Sequence, residues 1–251
     1  MKTFIFALAV LSLSISSCKK DKDVPEVRKN LLVKQTYFEN GVASLISTYG
    51  YDANNRLTSY VLSGNANNAP RNFSYTYNAA GALTEAFDSQ SSRKTRYTYN
   101  ATGTVSDIKE YMVNGATETL INTYTYVYAG GITTENYVFA PTGNGFRQEY
   151  KKDGKGNLAE LKSYTTTVAN PAGTFSGTLT YSNYDTKNSP YGSFPAAMTF
   201  TRTAINNPGT IAYSSSTSNY SYGYTYEYNA DGYPTKRIDG TNSDTYEYRR
   251  L

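Results

Sequence analysis

The sequence predicts an all-β protein: successive antiparallel β-hairpins forming one long, twisted, curling sheet, with an open curl and a closed, barrel-like form left as alternatives. Three observations carry this expectation. A tyrosine-rich phrase recurs along the chain, aromatic rings occupy alternate positions, and helical periodicity is nearly absent.

The phrase reads Tyr49-Gly50-Tyr51-Asp52-Ala53-Asn54-Asn55-Arg56-Leu57, then Tyr75-Thr76-Tyr77-Asn78-Ala79-Ala80-Gly81-Ala82-Leu83. It returns as Tyr97-Thr98-Tyr99-Asn100-Ala101-Thr102-Gly103-Thr104-Val105 and as Tyr226-Glu227-Tyr228-Asn229-Ala230-Asp231-Gly232-Tyr233-Pro234. Alternation such as Phe73-Ser74-Tyr75-Thr76-Tyr77 and Tyr124-Thr125-Tyr126-Val127-Tyr128 is a strand signal that gathers the rings on one face. The Asp or Asn that follows bonds its side chain to nearby backbone amides and starts a turn. Gly or Asn then tolerates the positive φ that the turn needs. Re-entry at Leu57, Leu83, Val105 or Leu158 begins the next strand, so each phrase is the bend of a hairpin.

Looser copies have a shortened turn at Tyr128-Ala129-Gly130-Gly131-Ile132 and, counted from Tyr150, a lengthened one at Tyr150-Lys151-Lys152-Asp153-Gly154-Lys155-Gly156-Asn157-Leu158. Tyr184-Asp185-Thr186-Lys187-Asn188-Ser189-Pro190 breaks the rhythm, and Pro190, Pro195 and Pro208 make residues 185–212 the most irregular segment. The repeats suggest about six or seven hairpins. The sheet's two ends are then edge strands, and the arginines of Tyr246-Glu247-Tyr248-Arg249-Arg250 discourage end-to-end pairing.

The N-terminus reads as a processing signal. Lys2 precedes an apolar run from Phe4 to Ile15, and Ile15-Ser16-Ser17 leads into Cys18, the only cysteine of the 251 residues. This order resembles a bacterial lipoprotein signal in which Cys18 carries the lipid. The expected organisation is therefore 1–17 signal peptide, 18–30 charged tether and 31–251 β-hairpin repeat domain. Lys19-Lys20-Asp21-Lys22-Asp23 is similar to the surface-export signal of Bacteroidetes lipoproteins, which implies an outer-membrane, cell-surface address; a periplasm-facing anchor is the alternative.

The phrases together resemble the YD repeat of RHS-type proteins over residues 47–238. With the lipoprotein start and the insertion at Tyr184–Pro190, the chain is similar to Bacteroidetes YD-repeat lipoproteins, a family of unknown function. The resemblance implies successive antiparallel hairpins in a long, curling sheet. It does not extend to toxin encapsulation, because this chain is far shorter than the large RHS proteins and lacks their toxin tip.

Chemistry is sparse. The chain has no histidine, the commonest general base and metal ligand, and its one thiol is committed to lipid. The acids Asp52, Asp88, Glu110, Asp153, Asp185 and Asp231 read mostly as turn residues, and Glu110 as strand-surface charge. The spacing of Asp231, Asp239 and Asp244 matches no known calcium loop. No enzymatic activity and no cofactor are expected. The net charge of +4 comes from scattered residues and gives no case for nucleic-acid binding.

With 27 Tyr, 10 Phe and no Trp, tyrosine supplies most of the large apolar surface, on what reads as half-exposed sheet faces. Most of these rings hold strands together. Those in and beside the irregular segment (Tyr181, Tyr184, Tyr191, Tyr213 and Tyr220) are the candidates for a ligand surface. The reading is a lipid-anchored binding module for glycan or another extracellular polymer. The alternative is a structural or protein-interaction scaffold of an outer-membrane complex.

Overall fold

The computed structural model describes residues 30–64, 69–199 and 205–251. Cys18, the signal segment and the tether up to residue 29 lie outside the described residues. Among the described residues all regular structure is one 17-stranded antiparallel sheet, apart from a single 3-10 turn at Pro190–Ser193 and a four-residue helix at Ala196–Thr199. The strands are β1 (Asn30–Glu39), β2 (Val42–Tyr51), β3 (Leu57–Gly64), β4 (Arg71–Tyr77), β5 (Leu83–Asp88), β6 (Arg93–Tyr99), β7 (Val105–Asn114), β8 (Thr117–Ala129) and β9 (Ile132–Phe139). There follow β10 (Gly145–Lys152), β11 (Leu158–Thr166), β12 (Thr174–Ser182), β13 (Thr210–Ser214), β14 (Asn219–Gly223), β15 (Thr225–Tyr228), β16 (Pro234–Asp239) and β17 (Asn242–Arg250).

Each strand pairs with its chain neighbours except β14 and β15, which do not pair with each other, and β1 pairs with both β2 and β17. The predicted free ends are therefore absent: the terminal strand with its two arginines lies between β16 and β1. The sheet is a nearly closed, barrel-like ring whose seam lies at β14 and β15. These are successive segments of one stave, interrupted at Tyr224, whose N–H donates to the Gly209 carbonyl. The first segment pairs with β13 and the second with β16.

The register sets the chemistry of the two faces. Directly opposed residues share a face, so Tyr97↔Ile108, Ile108↔Tyr124 and Tyr124↔Tyr137 form one continuous inward row. Outward positions are mostly Ser, Thr and charge, with scattered apolar residues such as Tyr111, Leu120, Val127, Val138 and Phe175. Lys94 and Arg96 on β6 pair with Glu118 on β8 at 2.8 Å, and Arg147 pairs with Glu149 at 2.9 Å. The tyrosine rows thus line the interior and are not half-exposed faces. Glu110 also faces inward, where it accepts from the Asn122 amide at 2.5 Å and lies 3.7 Å from Arg93. A ring of this many strands encloses a lumen too wide for ordinary side chains alone to fill. Here tyrosine rings and the segment inserted after Asp185 occupy one end of it.

Candidate functional site

The phrases all turn at one rim, and their chemistry is uniform. Asp52 Oδ1 accepts the backbone N–H of Asn54 and Arg56 at 2.9 Å each, and Asn55 takes φ 60°. Asp153 repeats this with Lys155 and Asn157, and Asn229 with Asp231 and Tyr233. The unit at Tyr150 is therefore not lengthened: Asp153 stands where Asp52 does, and Lys152 occupies the place of the phrase's second tyrosine.

That second tyrosine has a fixed partner: its hydroxyl reaches across the rim to the carbonyl of the preceding unit's re-entry residue. Tyr51 donates to Leu32 at 2.7 Å, Tyr77 to Leu57 and Tyr99 to Leu83 at 2.6 Å, and Tyr128 to Val105 at 2.8 Å. Tyr184 donates to Leu158 at 2.6 Å, and Tyr248 to Pro234 at 2.8 Å. Near the seam Tyr226 takes the Pro208 carbonyl at 3.0 Å, while Tyr228 bonds the Asp185 carboxylate instead. The acceptor residues Leu32, Leu57, Leu83, Val105 and Leu158 are all at most 3% exposed, so the ladder satisfies hydroxyls that sit over a buried belt. Burial pushes the Tyr77 and Tyr128 phenols up to about 12. Burial drives Tyr75, Tyr97, Tyr226 and Tyr248 up as well.

The irregular segment is spliced into one of these turns. Asp185 Oδ1 accepts the Lys187 N–H at 2.9 Å and, in the place of the fourth residue on, the Asn207 N–H at 3.1 Å. The Asp185 N–H also donates to the Asn207 carbonyl, so the turn closes as elsewhere with the intervening residues looped out. The loop is tied to both neighbouring turns, by Asn206 to Asn157 and by Asn188 to Asp231 and Gly232. It then crosses the rim. Phe194 meets Tyr49 at 5.0 Å between ring centroids, and Ala197 is 6% exposed in a cluster with Leu83 and Val105.

The five candidate tyrosines divide by location. Tyr181, Tyr184 and Tyr191 surround a cavity of about 170 Å³ beneath the insertion, with Pro208, Tyr226 and Arg237. Tyr191 is the insertion's anchor. Its hydroxyl donates to Gln35 Oε1 at 3.1 Å, Gln35 donates to Asp244 at 2.8 Å, and Asp244 pairs with Arg237 at 2.6 Å. Burial raises the Tyr191 phenol, and contact with Tyr246 continues the network. Tyr184 is a ladder rung and Tyr181 packs beside Tyr150, Leu158 and Leu161. Tyr184 and Tyr191 therefore have their hydroxyls committed within the barrel, while their rings line this cavity.

Tyr213 and Tyr220 lie near the opposite rim. They stack with centroids 4.9 Å apart and planes 25° from parallel, and Tyr222 meets Tyr220 edge-on at 5.3 Å. Tyr220 and Tyr222 remain 47% and 46% exposed. Tyr222 was missed by sequence reasoning, although the alternation Tyr220-Ser221-Tyr222 signals it. The three carboxylates weighed for calcium do not converge. Asp231 bonds Asn30 and Arg250, and Asp244 bonds Gln35 and Arg237. Two further cavities of about 300 Å³ each lie between the turn rim and the insertion, one lined by Arg56, Tyr77 and Phe194, the other by Tyr128, Lys152 and Ala197.

Comparison with known proteins places the architecture. No family model matches the sequence, and no curated protein matches it, so the likeness to YD-repeat lipoproteins rests on the phrases themselves. Among solved structures, a porin-like protein from Bacteroides uniformis ATCC 8492 is similar at a TM-score of 0.60 and 15% identity, over 88% of this chain and 97% of that one. A porin-like protein from Bacteroides vulgatus ATCC 8482 is similar at 0.59 and 14%, over 88% of this chain and all of that one. At these identities the likeness shows a shared fold: this chain has the barrel-like all-β architecture of the Bacteroides porin-like proteins.

Proposed function

We propose that the protein is a lipid-anchored envelope protein of the outer membrane, displayed at the cell surface, that binds glycan or another extracellular polymer without catalysis. The observation that carries this reading is the open step of rings at Tyr213, Tyr220 and Tyr222. Flat tyrosine faces suit sugar rings, which stack on an apolar surface.

The anchor is Cys18, after which the charged tether spaces the barrel from the membrane. The outer wall supports anchoring over spanning. A lipid-crossing barrel turns an apolar band outward, whereas β5 to β8 turn out Glu85, Lys94, Arg96 and Glu118. The porin-like neighbours add support for an envelope setting.

A polysaccharide array probed with purified protein tests the reading. Binding that disappears in Tyr220→Ala and Tyr222→Ala, with unfolding unchanged, supports it. Retention in both variants, or no glycan bound at all, contradicts it; the scaffold of an outer-membrane complex would then be the better reading, favoured by the many ring hydroxyls already committed within the wall. Replacing Cys18 by Ala is expected to release the protein from the membrane fraction, and persistence there would refute the anchor.

A further inference from the structure

At one unit of the ladder the second tyrosine is replaced by a lysine, Lys152, and a cavity adjoins it. Going round the rim, second tyrosines bond the preceding re-entry carbonyl until Tyr128; in the next unit the position belongs to Lys152. A phenol there would pack against its neighbours as Tyr99 and Tyr128 do. Beside Lys152 is a space of about 300 Å³ lined by Val105, Tyr128, Thr133, Lys152, Ala196 and Ala197; the equal space beside Tyr77 keeps its phenols, so what sets this one apart is the amine.

The cavity's chemistry is asymmetric. Val105 and Ala197 give it an apolar wall and the inserted helix closes one side. Tyr128 has already spent its hydroxyl proton on Val105. The Asp153 carboxylate next to Lys152 is occupied by its own turn. Among the described residues no acid pairs with the Lys152 amine, and desolvation alone lowers its pKa below the ordinary lysine value. Lys152 is exposed to solvent and also lines this cavity, so its ammonium is placed where an incoming anion could meet it.

We propose that this gap is a binding site for a small organic carboxylate with a ring-shaped body. The ring takes the place of the absent phenol against Val105 and Ala197, and the carboxylate meets Lys152 in a charge-assisted hydrogen bond. The volume admits one six-membered ring with its substituents, as in benzoate or a single hexuronate. The site lies at the rim opposite Tyr220 and stands independently of polymer binding there.

Titration calorimetry on the purified full chain tests the proposal with benzoate and D-glucuronate as probes and benzyl alcohol and D-glucose as neutral controls. At least one carboxylate is expected to bind, its neutral counterpart not; which one binds tells an aromatic acid from an acidic sugar. Lys152→Met keeps the stem and removes the charge, and is expected to weaken binding by about tenfold or more, the scale of one charge-assisted hydrogen bond. Lys152→Tyr is expected to abolish binding and raise Tm by completing the ladder. Absence of carboxylate binding to the unmodified protein, equal binding of the neutral probes, or undiminished binding in Lys152→Met would overturn the proposal.

Discussion

The two rims use the same residue for opposite purposes. At the turn rim, Tyr51, Tyr77 and Tyr99 lie over buried leucines or their neighbours and give their hydroxyl protons to carbonyls one unit away. At the other rim, Tyr220 and Tyr222 pack ring to ring and stay nearly half exposed. What separates them is the turn. An Asp- or Asn-led turn brings the next strand back at a fixed place, so a carbonyl waits for the phenol at every such unit except Tyr228, whose partner is the Asp185 carboxylate. The hairpin at 215–218 offers Ser215 hydroxyl bonds to its own backbone and none to the rings. A tyrosine therefore becomes scaffold or surface according to the turn beside it.

The largest expected effect is alkaline. Tyr49, Tyr75, Tyr97, Tyr124, Tyr246 and Tyr248 are all pushed up by burial, so they hold their protons in the folded state after the unfolded chain has lost them. The stability they contribute is complete below the ordinary phenol value of 10.0 and is lost as pH rises above it. Each such group costs about 1.4 kcal/mol per pH unit in that window. Unfolding followed by tyrosinate absorbance is expected to be one steep transition, whereas gradual titration of the folded protein would show that the rings are not closed off.

Next in size is Tyr191→Ala, which removes a half-buried ring and leaves Gln35, Asp244 and Arg237 without their link to the insertion. A loss of about 3–5 kcal/mol by denaturant unfolding is expected. A loss under 1 kcal/mol would mean the insertion rests on the barrel instead of anchoring in it. Tyr220→Ala tests the open rim from the other side: stability is expected to change by about 0.5 kcal/mol or less, as at ordinary surface positions, while glycan retention falls. A multi-kcal loss would make Tyr220 part of the scaffold.

The local structure was legible because turn chemistry is local. Asp52, Asn55 and Leu57 announce acceptor, positive φ and re-entry within a few residues, and the structure places them so. Closure was not legible, since pairing Leu31 with Arg249 joins the two ends of the domain and nothing in either strand names the other. The unit at Tyr150 misled for a physical reason. Its ring fits the first tyrosine's position, and the substitution of the second by Lys152 shifts the apparent count. The insertion's inward course was hidden because Pro190 and Pro195 signal irregular backbone equally well in a projecting loop. Of the candidate rings, Tyr213 and Tyr220 lie near the open rim, but the hydroxyl of Tyr213, like those of Tyr184 and Tyr191, is claimed by a group distant in sequence, here the Ser176 carbonyl.

The central claim, that the turn decides whether a tyrosine is scaffold or surface, is tested most directly by urea unfolding of four single-atom deletions: Tyr51→Phe, Tyr77→Phe, Tyr99→Phe and Tyr220→Phe. Each of the first three removes one ladder bond and leaves a buried carbonyl unmet, so each is expected to lose about 1 kcal/mol. Tyr220→Phe is expected to lose nothing measurable. Equal effects at all four positions, or none at any, would contradict the account.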